Sequence, residues 1–227
     1  YDKDCIEDLR VYPTVGSQTY IDNAFSVRPK SAELLYAEVN VEAITFNKGY
    51  YTVDVTYFYK ITGETFPGAN TVTGLAIFDK RVMLCGGEGT VKTFSSDICD
   101  CSCVDEGMPT AYVEAVDPIA LHLKLVDANC NVCCDNDRHD IPACILARFG
   151  EALVTSDTGR RLYVTLGQFS IIRLERDTQL LIPAYDYCVP EKECAGGRCH
   201  DDPCEIFAQI RFPVEEFFPS NECSTPN

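Results

Sequence analysis

The sequence has no run of 18 apolar residues, and its opening shows no basic stretch leading into an apolar segment. The expectation is a chain that does not span a membrane. Its start at Tyr1 rather than Met suggests a processed or incompletely represented N-terminus, which hides the export route. Positive charge is scarce: 19 Lys and Arg stand against 35 Asp and Glu, a formal net charge of −16. That balance repels phosphate backbones and anionic lipid heads, so neither nucleic acid nor membrane insertion is expected. A solvated surface that keeps the folded monomer soluble is the plain reading of the acidity, with cation binding second.

Catalytic signatures are also missing. There is no Gly-x-Ser-x-Gly elbow, no phosphate-cradling glycine loop before a helix, no dinucleotide fingerprint and no His-Glu-x-x-His. Gly86, Gly87 and Gly89 follow Cys85 and precede a strand-like segment, and read as a turn. Only three histidines occur: His122 on the polar side of an alternating segment, and His139 and His200 in Asp- and Cys-rich loops. A cysteine nucleophile needs a reduced thiol held against an imidazole, which a chain set up for oxidation does not favour. No catalytic residue is assigned and the chain is not expected to be an enzyme. Glycosidase-like carboxylate pairs stay open, because 35 acids offer many pairings in space.

Helical signals are few. The best is Asp202-Pro203-Cys204-Glu205, where Asp202 caps, Pro203 takes the first helical position and Glu205 completes a capping-box pattern, starting one short helix that ends before Pro213. Strand signals dominate instead. Tyr51, Val53, Val55, Tyr57, Tyr59 and Ile61 alternate with Thr52, Asp54, Thr56, Phe58 and Lys60, the period of a β-strand. Val39, Val41 and Ala43 alternate just before it, and Asn47-Lys48-Gly49 supplies the turn of a hairpin. A second hairpin is expected between 152–154 and 162–172 across Ser156 to Gly159. The same logic applies between Ala111 and Val126, where Ile119, Leu121, Leu123 and Leu125 share a face and Pro118 interrupts the run. Setting the hairpins against each other gives no repeat motif.

Fourteen cysteines are present, and thiols at that density survive as disulfides, metal ligands or both. Residues two apart on an extended chain sit about 6.5 to 7 Å apart, beyond easy disulfide reach. Cys99, Cys101 and Cys103 are therefore expected to bond elsewhere, or to share a metal. Neighbours Cys133 and Cys134 face opposite ways and would also bond elsewhere. Cys130 and Cys133 form a Cys-x-x-Cys, but no second one follows at zinc-ribbon spacing, and His122 and His139 show no ligand pattern. A thioredoxin-like role lacks the strand-to-helix context. A calcium loop starting at Asp127 would need Gly at 132 and Glu at 138, where Val132 and Arg138 stand. Disulfides are the preferred reading, with no metal and no cofactor assigned. The candidates for disulfides or cross-links are Cys85, Cys99, Cys101, Cys103, Cys130, Cys133, Cys134, Cys144, Cys188, Cys194, Cys199, Cys204 and Cys223. The closing stretch also carries Phe207, Phe212, Phe217 and Phe218 between Pro213 and Pro219, and reads as an arm that docks on this chain's own sheet or on a neighbour's.

The Cys-rich clusters, the strand-rich body and the tail from Asp202-Pro203-Cys204-Glu205 to Phe218 together resemble the cysteine-rich coat and exosporium proteins of endospore-forming bacteria, especially the clostridial exosporium basal-layer kind. The resemblance is of general character, without an aligned signature. It implies an ordered shell of tiled subunits made resistant by disulfides, with a mechanical and permeability role.

The expected fold is mainly β: antiparallel, sandwich-like sheets in one or two small β domains, with Cys-rich loops and a short C-terminal helix or arm. Residues 1–98 read as an N-terminal β domain, 99–187 as a second β region with Cys-rich loops, and 188–227 as a Cys-rich C-terminal arm. The expected function is self-assembly into a disulfide-cross-linked lattice or fibre at a spore surface (coat or exosporium) or a cell surface. The partners are other copies of the chain and, secondarily, other coat proteins. A secreted β-sandwich binding module with internal disulfides, and a thiolate–zinc scaffold, are the alternatives.

Overall fold

The computed structural model describes residues 2–88, 107–127, 141–155 and 159–177. Their elements, in chain order, are β1 (Asp2–Pro13), α1 (Val15–Asn23), β2 (Ser26–Ala43), β3 (Tyr50–Phe66), β4 (Thr71–Cys85), β5 (Thr110–Ala115), β6 (Ile119–Val126), α2 (Ala143–Leu146) and β7 (Arg161–Glu175). The mainly β, antiparallel expectation is met. All seven strands belong to one sheet, in the order β2-β3-β4-β1-β7-β5 with β6 also on β7, and that sheet curls until it is nearly closed into a barrel. The layers expected of a sandwich thus come from one sheet facing itself. The boundary expected at residue 98 falls between β4 and β5, which share this sheet.

The hairpin read from alternation is present as β2 and β3. Tyr51, Val53, Val55, Tyr57, Tyr59 and Ile61 are all buried, and Val53, Tyr57 and Tyr59 have no exposed surface at all. The second hairpin is a correction. Residues 152–154 pair with the end of β1, through the bridge of Leu153 to Thr14 and the Val154 N–H bonded to the Pro13 carbonyl. They have no place beside β7, because both its edges are taken. One edge carries β1, from Asp2↔Ser170 to Val11↔Leu162. The other carries β5 along 170–175 and β6 along 161–167. For the same reason β5 and β6 form no hairpin with each other; they follow one another along β7, separated at residues 116–118.

A β-bulge also corrects the face assigned to β6. Ala120 pairs with Leu166 and His122 with Thr165, so Leu121 is an extra residue. Side chains alternate with period two, and one extra residue sends everything beyond it to the other face. Ile119 and Leu121 are consequently exposed, whereas Leu123 is buried and Leu125 packs on the core. A second bulge lies opposite, on β1: Ile6 pairs with Leu166 but Leu9 with Val164. Asp8, inside it, has a φ of +49°. Both neighbours of β7 are therefore bulged at the level of Leu166 and Val164. Bulges bend their strand and raise the local twist, which suits a sheet that curls towards closure.

The concave face encloses the main core, built from Ile6, Val11, Val53, Val55, Tyr57, Tyr59, Ile61, Leu123, Val164 and Leu166 among others. A smaller core lies on the opposite face, where Phe58, Leu75 and Ile77 meet Ile145, with Phe149 and Leu153 packed against them. The short helix α2 and its flanks thus cap the outside of the sheet. The seam is marked by Asp117, whose carboxylate accepts the Leu34 N–H of edge strand β2 at 2.9 Å. Asp117→Ala is expected to lower stability by about 1 kcal/mol, the worth of a typical hydrogen bond. Urea melts would show it, and an unchanged midpoint would mean that the contact contributes nothing.

Helix α1 was not legible as a helix. It starts at Thr14, whose side chain accepts the Ser17 N–H, and it buries Ser17 and Ile21. The Ser17 hydroxyl in turn accepts the Thr73 N–H at 2.9 Å, tying the helix start to β4. The expected helix beginning at Asp202 lies outside the described residues.

The chain divides into two compact units, the second comprising 43–50, 85–109 and 176–227. Within its described part, the Gly86 N–H donates to the Gly49 carbonyl. The Arg176 guanidinium donates to the carbonyls of Gly86, Gly87 and Gly107. Gly49, Gly87 and Gly107 all have positive φ, which glycine adopts without strain.

Candidate functional site

On the outer face of β7, Gly167 stands between Cys5 of β1 and Ile119 of β6. Phe169 stands opposite Lys3, whose ammonium lies 6.0 Å from the ring centroid. A Cβ at Gly167 would come 3.7 Å from Leu121 Cδ1 and 3.9 Å from Ile119 Cβ, so these side chains lie over the glycine. Val116, Ile119, Leu121 and Phe169 are all about half exposed, at 59%, 54%, 52% and 45%. They form an apolar strip, and Cys5 is an exposed free thiol in the row of Gly167 and Ile119. Next to the strip lies a cavity of about 430 Å³, lined in part by Lys3, Glu114, Val116, Phe169 and Ile171.

Of the cysteines singled out from the sequence, Cys85 at the end of β4 is disulfide-bonded and Cys144 in α2 is an exposed free thiol. Cys99, Cys101, Cys103, Cys130, Cys133, Cys134, Cys188, Cys194, Cys199, Cys204 and Cys223 lie outside the described residues, as do Phe207, Phe212, Phe217 and Phe218. Cys5 was missed because it belongs to no cluster. Its signal was the alternation of Asp2, Asp4 and Ile6 with Lys3, Cys5 and Glu7, which sends the thiol to the polar side.

The inner face carries a polar group that no motif announced. The Lys80 ammonium of β4 lies 2.9 Å from Asp2 Oδ2 and 2.6 Å from Asp4 Oδ2, with 13% of its side chain exposed. Asp2 and Asp4 stand across from Ser170 and Gln168 on β7. The hydrogen bond from Lys80 holds the Asp2 carboxyl below its ordinary pKa. Desolvation pulls Lys80 downward, but the hydrogen bonds to Asp4 and Asp2 outweigh it and leave the ammonium's pKa raised. Burial likewise pushes the Tyr57 and Tyr59 phenols up. The two rings stack, 6.0 Å between centroids. The Gln168 amide donates to the Val116 and Phe169 carbonyls. Among the described residues no three His, Cys, Asp or Glu gather to hold a metal, and no helix is long and apolar enough to cross a membrane.

No family model matches the chain, and no solved structure matches it. One stretch of 53 residues is 43% identical to Exosporium protein A of Clostridium sporogenes (strain ATCC 15579). The match covers 23% of this chain and 16% of that protein.

Proposed function

We propose that this chain is a structural subunit of a spore's outer shell, which associates with copies of itself and is fixed by intermolecular disulfides. The local similarity to an exosporium protein is the observation that carries this reading. The exposed thiols support it physically. Cys5 sits on the outer side of the central strand β1 and Cys144 on helix α2, which packs elsewhere on that outer side over Phe58, Leu75 and Ile77, so two thiols at separate places on a stiff scaffold can reach different neighbours. Two separate attachment points extend an assembly, where a single one stops at a pair. The role is mechanical, without catalysis, and other shell proteins are secondary partners. The Cys85 disulfide weighs against a thiolate–zinc scaffold, since a thiol committed to a disulfide is not a zinc ligand.

The test is electrophoresis of the purified chain after oxidation in air and alkylation, with and without reductant. A ladder that collapses to the 25.3 kDa chain on reduction is expected, with Cys5→Ser and Cys144→Ser each shortening it. A monomer in both lanes would overturn the assembly and favour a secreted, internally disulfide-bonded β module that uses the 430 Å³ cavity for a ligand.

A further inference from the structure

We infer that Lys80 and Asp4 are poised to form an intramolecular isopeptide bond, with Asp2 as the proton carrier. Several features meet at this point. One amine lies within hydrogen-bonding distance of two carboxylates, at 2.6 Å from Asp4 and 2.9 Å from Asp2. The amine is mostly withdrawn from water, with 13% of its side chain exposed against 29% for Asp4 and 39% for Asp2. The three groups come from strands on the concave face, where Phe78, Tyr57 and Tyr59 pack together. Pairing with β7 from Asp2↔Ser170 to Ile6↔Leu166 holds this end of β1 in register, so the carboxylates keep their position on the sheet.

The chemistry balances without an external reagent. Lys80 and Asp4 rest as an ammonium and a carboxylate. One proton passes from Nζ to the Asp4 carboxylate, giving an amine and a carboxylic acid. The Nζ lone pair then attacks Cγ of Asp4 and the C–N bond forms. Asp2 takes the second proton from nitrogen and delivers it to the departing hydroxyl; the C–O bond breaks and water leaves. The products are a neutral amide and one water, and Asp2 is regenerated. Held geometry replaces the encounter of two solutes; well-oriented groups reach effective concentrations of about 10⁵ M or more. The link would tie β1 to β4 independently of thiol chemistry and of any assembly.

The test is the intact mass of the full 227-residue chain, folded, aged, then denatured and fully reduced. The expected mass is one water below that of the sequence. Protease digestion should give a branched peptide joining the segment of Asp4 to that of Lys80. Lys80→Arg, Asp4→Ala and Asp2→Asn are each expected to lower the bonded fraction at least tenfold, and near-ultraviolet circular dichroism would confirm that the tested variants are folded. The full sequence mass after ageing of the folded chain would overturn the inference and leave an ordinary ion triad. So would a water loss that persists in Lys80→Arg, because that marks a cyclic imide on an aspartate.

Discussion

Gly74→Ala is expected to destabilise the fold by about 2 to 3 kcal/mol, although it adds one methyl group in the middle of a strand. Gly74 pairs with Pro13 at the β1–β4 ladder. A Cβ there would lie 2.7 Å from the Tyr12 carbonyl oxygen, 2.7 Å from Val11 Cγ1 and 2.9 Å from the Pro13 Cα. Two of these three atoms are backbone of the neighbouring strand and cannot step aside as a rotamer does. The strands must separate, and the same stretch of β1 also holds Val11 against Leu162 of β7. Gly167→Ala is the control: its nearest neighbour would be a Leu121 methyl at 3.7 Å, ordinary contact, so its midpoint should stay within about 0.5 kcal/mol of the parent. Chemical denaturation of both variants measures the contrast. Equal midpoints would mean that β1 and β4 are not packed at this spacing.

Leu166→Ala is expected to cost about 3 to 4 kcal/mol, within the range for a buried leucine truncated to alanine. Leu166 has no exposed surface and pairs with Ile6 on one side and Ala120 on the other, at the level where both flanking strands are bulged. Collapse around the lost side chain requires two ladders to move together, which favours a retained cavity and a cost in the upper part of that range. A domain with about 5 to 15 kcal/mol of total stability would lose a large share of it. A thermal midpoint within a degree or two of the parent would show that the site can close up. Leu174→Ala offers a milder comparison, since Leu174 only packs against the margin of the core.

Strand β3 was legible because its pattern is local: every second residue from Tyr51 to Ile61 is apolar, and burial follows that period. Strand β6 was misread because periodicity assumes an unbroken count, and the extra residue at Leu121 carries no sequence mark. The partner of 152–154 was misread for another reason. Proximity in sequence favoured β7, but the edges of β7 are filled by strands from far along the chain. Helix α1 gave little signal: Gly16, Ser17, Thr19 and Asn23 are weak helix formers, and only Ser17 and Ile21 are buried. The outer strip was half visible, since the apolar side chains stood out while Cys5 lay outside any cluster. The Lys80 triad was invisible, because its members lie 76 and 78 residues apart and meet only through the sheet.

The position of β1 also bears on how the chain comes together in time. Of the seven described strands it comes first in the sequence, yet it lies between β4 and β7, and the latter is the last of the seven. Closing such long loops must precede any reward from the ladders they join, so this topology folds slowly compared with one built from neighbouring hairpins. Until β7 emerges, β1 has a bare edge, and its thiol waits while most of the chain is still being made. Among the described strands, this order leaves the thiol of Cys5 on an unpaired edge until β7 is made.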